Sequence, residues 1–316
     1  MRIIKYILAL IAITLLITSC GSDPVPDEQY EQYEQYESEQ IQLHEEEPPP
    51  TEWLTFTADE FPRMDGSTAT IPLGEAAAAV LMGIDRAEAS RFVNFSGTHN
   101  SFRRLRERQT DILIVYSPSE ETRREHHNMD WAIKEPIGSD GLVFLVNAEN
   151  PVENLTFEQV RAIYAGEITN WSQVGGSDAD IVAFQRNPTA GSHALLMSLL
   201  MQDTPLMDAP QLNIISGMGG LMSVVAEFDT GRYSIGYNVF YFVTEMAQNP
   251  NIRILSIDGV TPTTETIASG EYPLTSHFYA VIRRVERDTP ARQMFEWLQS
   301  PEGQALIEQE GYAPLR

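Results

Sequence analysis

From Phe61 onward, short apolar runs alternate with segments patterned as helices. Asp111-Ile112-Leu113-Ile114-Val115-Tyr116, Gly141-Leu142-Val143-Phe144-Leu145-Val146 and Asp180-Ile181-Val182-Ala183-Phe184 each read as a short buried strand. Helices are marked by their ends. Thr156 precedes Phe157-Glu158-Gln159 in a capping-box arrangement, with Gly166 as the stop. Thr289-Pro290 and Ser300-Pro301 set a hydroxyl N-cap before a proline at the first helical position, and Gly311 closes the last helix. Strands separated by helices of this length predict an α/β body with parallel or mixed sheets and helical faces. In such sheets ligands sit beyond the carboxyl ends of strands, near helix N-termini.

Three predicted strand-to-helix junctions are rich in hydroxyls and glycine. Asp65-Gly66-Ser67-Thr68-Ala69-Thr70-Ile71-Pro72 leads into an Ala-rich helix from Leu73. Phe95-Ser96-Gly97-Thr98-His99-Asn100-Ser101 leads into Phe102-Arg103-Arg104-Leu105. Arg186-Asn187-Pro188-Thr189-Ala190-Gly191-Ser192 leads into a helix carrying Leu195-Leu196 and Leu199-Leu200. Each offers unpaired backbone N–H groups at the positive end of a helix dipole, plus hydroxyl donors. If the three converge they surround a tetrahedral anion, and Arg186 adds a bidentate fork. Taken singly, each hydroxyl is also an ordinary N-cap residue.

The ends of the chain place this body in a compartment. Arg2 and Lys5 precede an apolar run from Tyr6 to Ile17, which closes on Thr18-Ser19-Cys20-Gly21. That is a signal-peptide pattern over residues 1–19, too short to span ~30 Å of hydrocarbon as a stable helix. Cys20 is the only cysteine, so no intramolecular disulfide forms. Its setting resembles the lipobox of bacterial lipoproteins, which implies lipidation of Cys20 and anchoring at ~0.8 kcal/mol per buried CH₂. Residues 20–60 read as a disordered tether: three EQY repeats, Glu45-Glu46-Glu47, Pro48-Pro49-Pro50, and no Lys or Arg.

Charge narrows the partners. Residues 1–19 carry +2 and residues 21–60 carry −13, so −13 of the total −24 stays on residues 61–316. An acidic body argues against nucleic acid as a partner, whereas backbone amides and one arginine can still hold a small anion. Enzymatic motifs are missing: His99, His126, His127, His193 and His277 show no metal-ligand spacing, and no G-x-S-x-G elbow occurs. His126-His127 reads as solvated surface. Gly217-Met218-Gly219-Gly220 lacks dinucleotide-binding spacing and reads as a flexible turn.

The segment Tyr164-Ala165-Gly166-Glu167-Ile168-Thr169-Asn170-Trp171-Ser172-Gln173-Val174-Gly175-Gly176 resembles the "Y-x-G-x-I-x-N-W-x-x-V-G-G" block of periplasmic phosphate-binding proteins. Ser234-Ile235-Gly236-Tyr237, Ile257-Asp258-Gly259-Val260-Thr261-Pro262, Gly270-Glu271-Tyr272-Pro273-Leu274, Ser300-Pro301-Glu302-Gly303-Gln304 and Gly311-Tyr312-Ala313-Pro314-Leu315 match further blocks in order. The resemblance implies a type II periplasmic-binding fold, two α/β lobes joined by a two-strand hinge. Lobe one would hold residues 61–146 and 272–316, and lobe two residues 147–271. It implies phosphate or a related oxyanion as ligand, a membrane ABC permease as partner and no cofactor. The protein would be monomeric and extracytoplasmic. A sensory or adhesive lipoprotein on the same fold is the alternative.

Ligand positions transfer one at a time. The first-loop threonine falls on Thr70, beside Ser67 and Thr68, and the second-loop serine on Thr98. The binding arginine falls on Arg186, and the glycine and threonine after it on Gly191 and Ser192. Two positions depart. Tyr116 stands where the best-known members have aspartate, and offers its phenolic hydrogen to the ligand or narrows the pocket. Ala190 replaces a serine and leaves only its N–H.

Overall fold

The computed structural model describes residues 54–126, 129–227 and 231–315. The expected signal segment, Cys20 and the tether as far as residue 53 lie outside the described residues, as does His127. Packing of the body begins upstream of Phe61. The Phe56 ring is buried edge-on to Phe61, and the Phe56 N–H donates to Leu81 O at 2.8 Å.

The strands are β1 Met64–Gly66, β2 Ile112–Tyr116, β3 Ala132–Asn147, β4 Asn154–Leu155, β5 Val182–Ala183 and β6 Gln185–Arg186. They continue as β7 Ile214–Ile215, β8 Ser234–Val239, β9 Ile252–Ile254, β10 Ser256–Ile257, β11 Thr275–Arg283 and β12 Ala313–Pro314. Between them lie α1 Ile71–Met82, α2 Thr98–Arg106, α3 Glu120–Glu125, α4 Phe157–Ala165, α5 Gly191–Leu195 and α6 Met218–Ala226. The last helices are α7 Thr264–Ser269, α8 Pro290–Trp297 and α9 Pro301–Gln309.

Among the described residues an eight-stranded mixed sheet runs β1-β2-β11-β3-β8-β5, with β12 and β9 also pairing to β3. The long strand β3 organises it. Up to Gly141 it pairs with β11, and from Leu142 it pairs with β8 and β9. The sheet therefore has two halves that meet at Asp140–Leu142, the two-lobed α/β arrangement expected. The returning chain crosses beside it: Leu142 N–H donates to Leu274 O at 2.8 Å, and Tyr272 Oη donates to Leu142 O at 3.0 Å.

Strand β3 begins nine residues before the apolar run that marks it in the sequence, because Lys134-Glu135-Pro136 masks its first half. Pro136 lacks an N–H for the ladder, and the register with β11 shifts there, with Tyr279 opposite Pro136 and Phe278 opposite Gly138. Gly138 is required: a Cβ would lie 2.4 Å from the Phe278 ring. The Asp180–Phe184 run shortens to β5, although the Phe184 N–H still donates to Ile235 O on β8 at 2.8 Å.

Helix ends follow local chemistry. Thr156 and Gln159 form the expected capping box on α4, which stops at Gly166 in the left-handed region (φ 79°). Thr289 and Ser300 cap α8 and α9 with a proline at the first position. Gly217-Met218-Gly219-Gly220 is not a flexible turn. It opens α6, whose Leu221, Met222 and Val225 are buried, so an apolar face overrides the low helix propensity of two glycines. No helix among the described residues is long and apolar enough to cross a membrane.

Candidate functional site

The carboxyl ends of β1, β2, β6, β7 and β8 open on one cleft of about 260 Å³. From the first half of the sheet it is lined by Ser67, Thr68, Thr98 and Tyr116, and from the second by Arg186, Ala190, Gly191 and Ser192. Eight expected site residues thus come together from segments up to 125 positions apart.

Thr70 does not join them. It is fully buried behind the first loop, and its hydroxyl donates to Ser67 O at 2.9 Å and to Ile114 O at 2.6 Å. The first bond closes the loop on itself and the second ties it to β2, so the hydroxyl is spent on the backbone and Ser67 and Thr68 are the loop residues that line the cleft.

Arg186 ends β6 and is 5 % exposed. Its N–H donates to Tyr237 Oη at 2.9 Å, and the Tyr237 ring is held by Phe144 and Tyr164. Nε donates to Ile215 O at 3.0 Å and Nη2 to Ser216 O at 2.9 Å, while Nη1 lies 3.5 Å from Ser192 Oγ. Among the described residues no carboxylate forms an ion pair with it. Burial lowers its pKa from the ordinary arginine value. A buried cation without a counter-ion is costly, and this one faces the cleft with guanidinium hydrogens unspent.

The helix starts at the cleft differ from the others. Ser119, Thr156, Thr263, Thr289 and Ser300 cap α3, α4, α7, α8 and α9 through their side chains. At α1, α2, α5 and α6 the residue before the helix supplies no side-chain bond. For α2 and α5 that residue is Gly97 or Ala190, so first-turn N–H groups stay open toward the cleft. Hydroxyls there are oriented as well. Ser67 Oγ accepts the Tyr116 N–H at 3.1 Å and pairs with Thr98 Oγ1 at 2.8 Å. One hydrogen of that pair is free to donate. Across the cleft, a Cβ on Gly191 would fall 2.7 Å from Thr98 Oγ1, so the loops of the two halves approach to contact distance there.

Tyr116 lines the cleft without offering it a hydrogen. Its phenol donates to Asp140 Oδ2, and burial, with the Asp140 charge, pushes its pKa well above the ordinary value. Asp140 also accepts from Gly141 N–H at 2.7 Å and Tyr241 N–H at 3.1 Å. Burial lifts its pKa to about 6.

Residues that sequence reasoning passed over hold the site in shape. Buried Asp65 accepts from the Gly66 and Ser96 N–H groups, from Ser96 Oγ and from Arg104 Nη1, joining two loops. The Asp-Gly pair at the end of β1 is the signal that could have found it. Ser216 has no such signal, lying thirty residues from the arginine it orients. His126 is buried with neither ring nitrogen hydrogen-bonded among the described residues, contrary to the solvated surface expected. Its ring lies 6.1 Å from that of His99 on α2. No group of three His, Cys, Asp or Glu among the described residues could hold a metal ion.

Helix starts and a lone guanidinium among the described residues, at the carboxyl ends of strands in a two-halved sheet, are the arrangement of the type II periplasmic-binding fold. The chain matches the PBP superfamily domain over residues 63–302 and belongs to that family. Among curated relatives, the phosphate-binding protein PstS of Borreliella burgdorferi is 28% identical over 56% of this chain, a match that spans 64% of that relative's length. The PstS of Bacillus subtilis is 24% identical over 80% of each chain. Among solved structures, an ABC-type phosphate transport receptor from Vibrio cholerae superposes with a TM-score of 0.59 at 24% identity, over 79% of this chain and 98% of that one. The phosphate-binding protein of Stenotrophomonas maltophilia gives 0.58 at 15%, over 81% and 91%.

Proposed function

We propose that this chain is the extracytoplasmic solute-binding protein of an ABC importer and that it captures inorganic phosphate or a related tetrahedral oxyanion. The observation that carries the reading is Arg186, buried, unpaired with any carboxylate among the described residues, and set where uncapped helix starts converge. The names of the relatives and of the structural neighbours support the same ligand class. In this reading lobe one, expected over residues 61–146 and 272–316 but handing over near Leu142 where β3 changes partners, supplies Ser67, Thr68 and Thr98, and lobe two, which runs on to residue 271, supplies Arg186, Gly191 and Ser192. The anion enters an open cleft, and closure about β3 and the 272–274 crossing excludes water and strengthens each charge-assisted bond. The closed pair of lobes is then the surface a permease reads. Lipid on Cys20 holds the body at the outer membrane face through the acidic tether, and the protein acts as a monomer without a cofactor.

Isothermal titration of Arg186→Ala with phosphate tests the reading. Removing the cation leaves a desolvated anion unpaired and costs about 2–5 kcal/mol, roughly 30-fold or more in affinity. The ligand-free variant keeps its circular dichroism and thermal midpoint, because an uncompensated buried charge has been removed. Unchanged phosphate affinity in that folded variant sinks the assignment.

A further inference from the structure

We infer that the cleft selects by charge and not by protonation, taking fully ionised tetrahedral dianions as a class, sulfate alongside phosphate. The inference rests on the oxyanion reading and adds the substrate class to it.

Among the described residues no aspartate or glutamate lines the cleft. The two buried carboxylates nearest its walls are turned to donors of their own. Asp65 takes two N–H groups, one hydroxyl and Arg104, and Asp140 takes two N–H groups and the Tyr116 phenol. The hydroxyls facing the cleft already receive hydrogens: Ser67 Oγ from the Tyr116 N–H, and Ser192 Oγ from Arg186 Nη1. Ser192 keeps its own hydrogen to donate, and the Ser67–Thr98 pair keeps one. Asn187 Oδ1 is occupied by the N–H and hydroxyl of Thr189, and the Ile215 and Ser216 carbonyls by Arg186. What remains is a surface of donors and neutral hydroxyl oxygens: Ser96 and Thr189 give their hydrogens to Asp65 and Asn187, and the Asn100 side-chain oxygen sits at the exposed rim.

The consequence follows from hydrogen-bond arithmetic. An oxyanion that carries a hydrogen must find it an acceptor, and a buried donor left unsatisfied loses affinity. An ion with no hydrogen loses nothing here, and no carboxylate repels it. Each proton added to phosphate removes charge that Arg186 and the helix starts favour and adds a donor that only neutral hydroxyl oxygens, and no lining carboxylate among the described residues, can accept. Sulfate presents four bare oxygens and meets no obstacle.

The test is titration calorimetry on the full chain with sulfate and with phosphate, at fixed ionic strength, between about pH 6 and pH 8.5. The ionisable groups around the cleft are Arg186, His99 on α2, His193 on α5, and Asp65, Asp140 and Arg104 behind its walls. Sulfate stays a dianion across this range, so its affinity reports any titration of these groups, and the phosphate-to-sulfate ratio isolates the ligand's own proton. The expected result is a sulfate Kd within about tenfold of the phosphate Kd near pH 8. The phosphate affinity relative to sulfate should fall about tenfold per pH unit once the monoanion dominates, because only the dianionic fraction competes. Phosphate binding that ignores hundredfold sulfate, or a ratio constant with pH, overturns the selectivity and leaves the oxyanion cleft standing. Binding of neither ion overturns both.

Discussion

The Tyr116 hydroxyl donates to Asp140 Oδ2 at 2.5 Å, and each residue is only 2 % exposed. The bond joins the cleft wall to the point where β3 passes from one half of the sheet to the other. Burial is the largest influence on Asp140 and lifts its pKa from 3.8 to about 6, against the donors that favour its charged form. A carboxyl whose folded pKa is raised contributes stability that is full below the unfolded value near 4 and is lost as pH rises through about 6.

Asp140→Asn removes that titration while keeping acceptor and shape, since the Tyr116 hydroxyl can turn to accept from the new amide. Relative to wild type, the variant gains stability between about pH 4 and pH 7, by on the order of 2–3 kcal/mol. Thermal melts of both proteins across this range check it, and the difference between them cancels every other carboxyl. A difference that stays flat with pH would show that Asp140 titrates normally.

Gly191→Ala tests whether closure needs the close approach of the two halves. The first residue of α5 takes alanine without backbone strain, but the new methyl lies 2.7 Å from Thr98 Oγ1, which is itself bonded to Ser67 Oγ. Relieving that overlap costs about 1–3 kcal/mol. The closed state bears it, so affinity should drop roughly tenfold or more while the ligand-free melting temperature barely moves. Calorimetry and solution scattering on the same sample read the two effects.

Two threonines separate support from contact. Thr70→Val removes buried bonds to Ser67 O and Ile114 O, and should cost about 1–2 kcal/mol of stability with anion affinity changed less than about threefold. Thr98→Val removes a hydroxyl that faces the cleft and should lower affinity about tenfold with a smaller loss of stability. Equal affinity losses in both would return Thr70 to the ligand.

Much of the frame was legible along the chain. Thr156 with Gln159, Thr289 before Pro290 and Ser300 before Pro301 mark their helices correctly because a cap is made within three residues of itself. The apolar half of β3 shows for a similar reason, as an unbroken run. Its other half is hidden because a strand with Lys134-Glu135-Pro136 exists only where β11 pairs with it. What the sequence hides is where the Thr70 and Tyr116 hydroxyls go: Tyr116 lines the cleft as expected and Thr70 does not, and each hydroxyl has a partner, Ile114 O or Asp140, that lies 44 or 24 positions away.

Composition, periodicity and caps by themselves determined an α/β body, its hydroxyl-rich junctions and the single arginine among them, since these depend on neighbours a few residues apart. The tertiary structure alone decided which hydroxyls end on backbone and which on the cleft, and it left Arg186 without a carboxylate among the described residues. Local bonding is written in short spacings, whereas the direction a donor finally points is set by whichever distant acceptor the packed sheet brings within three ångströms of it.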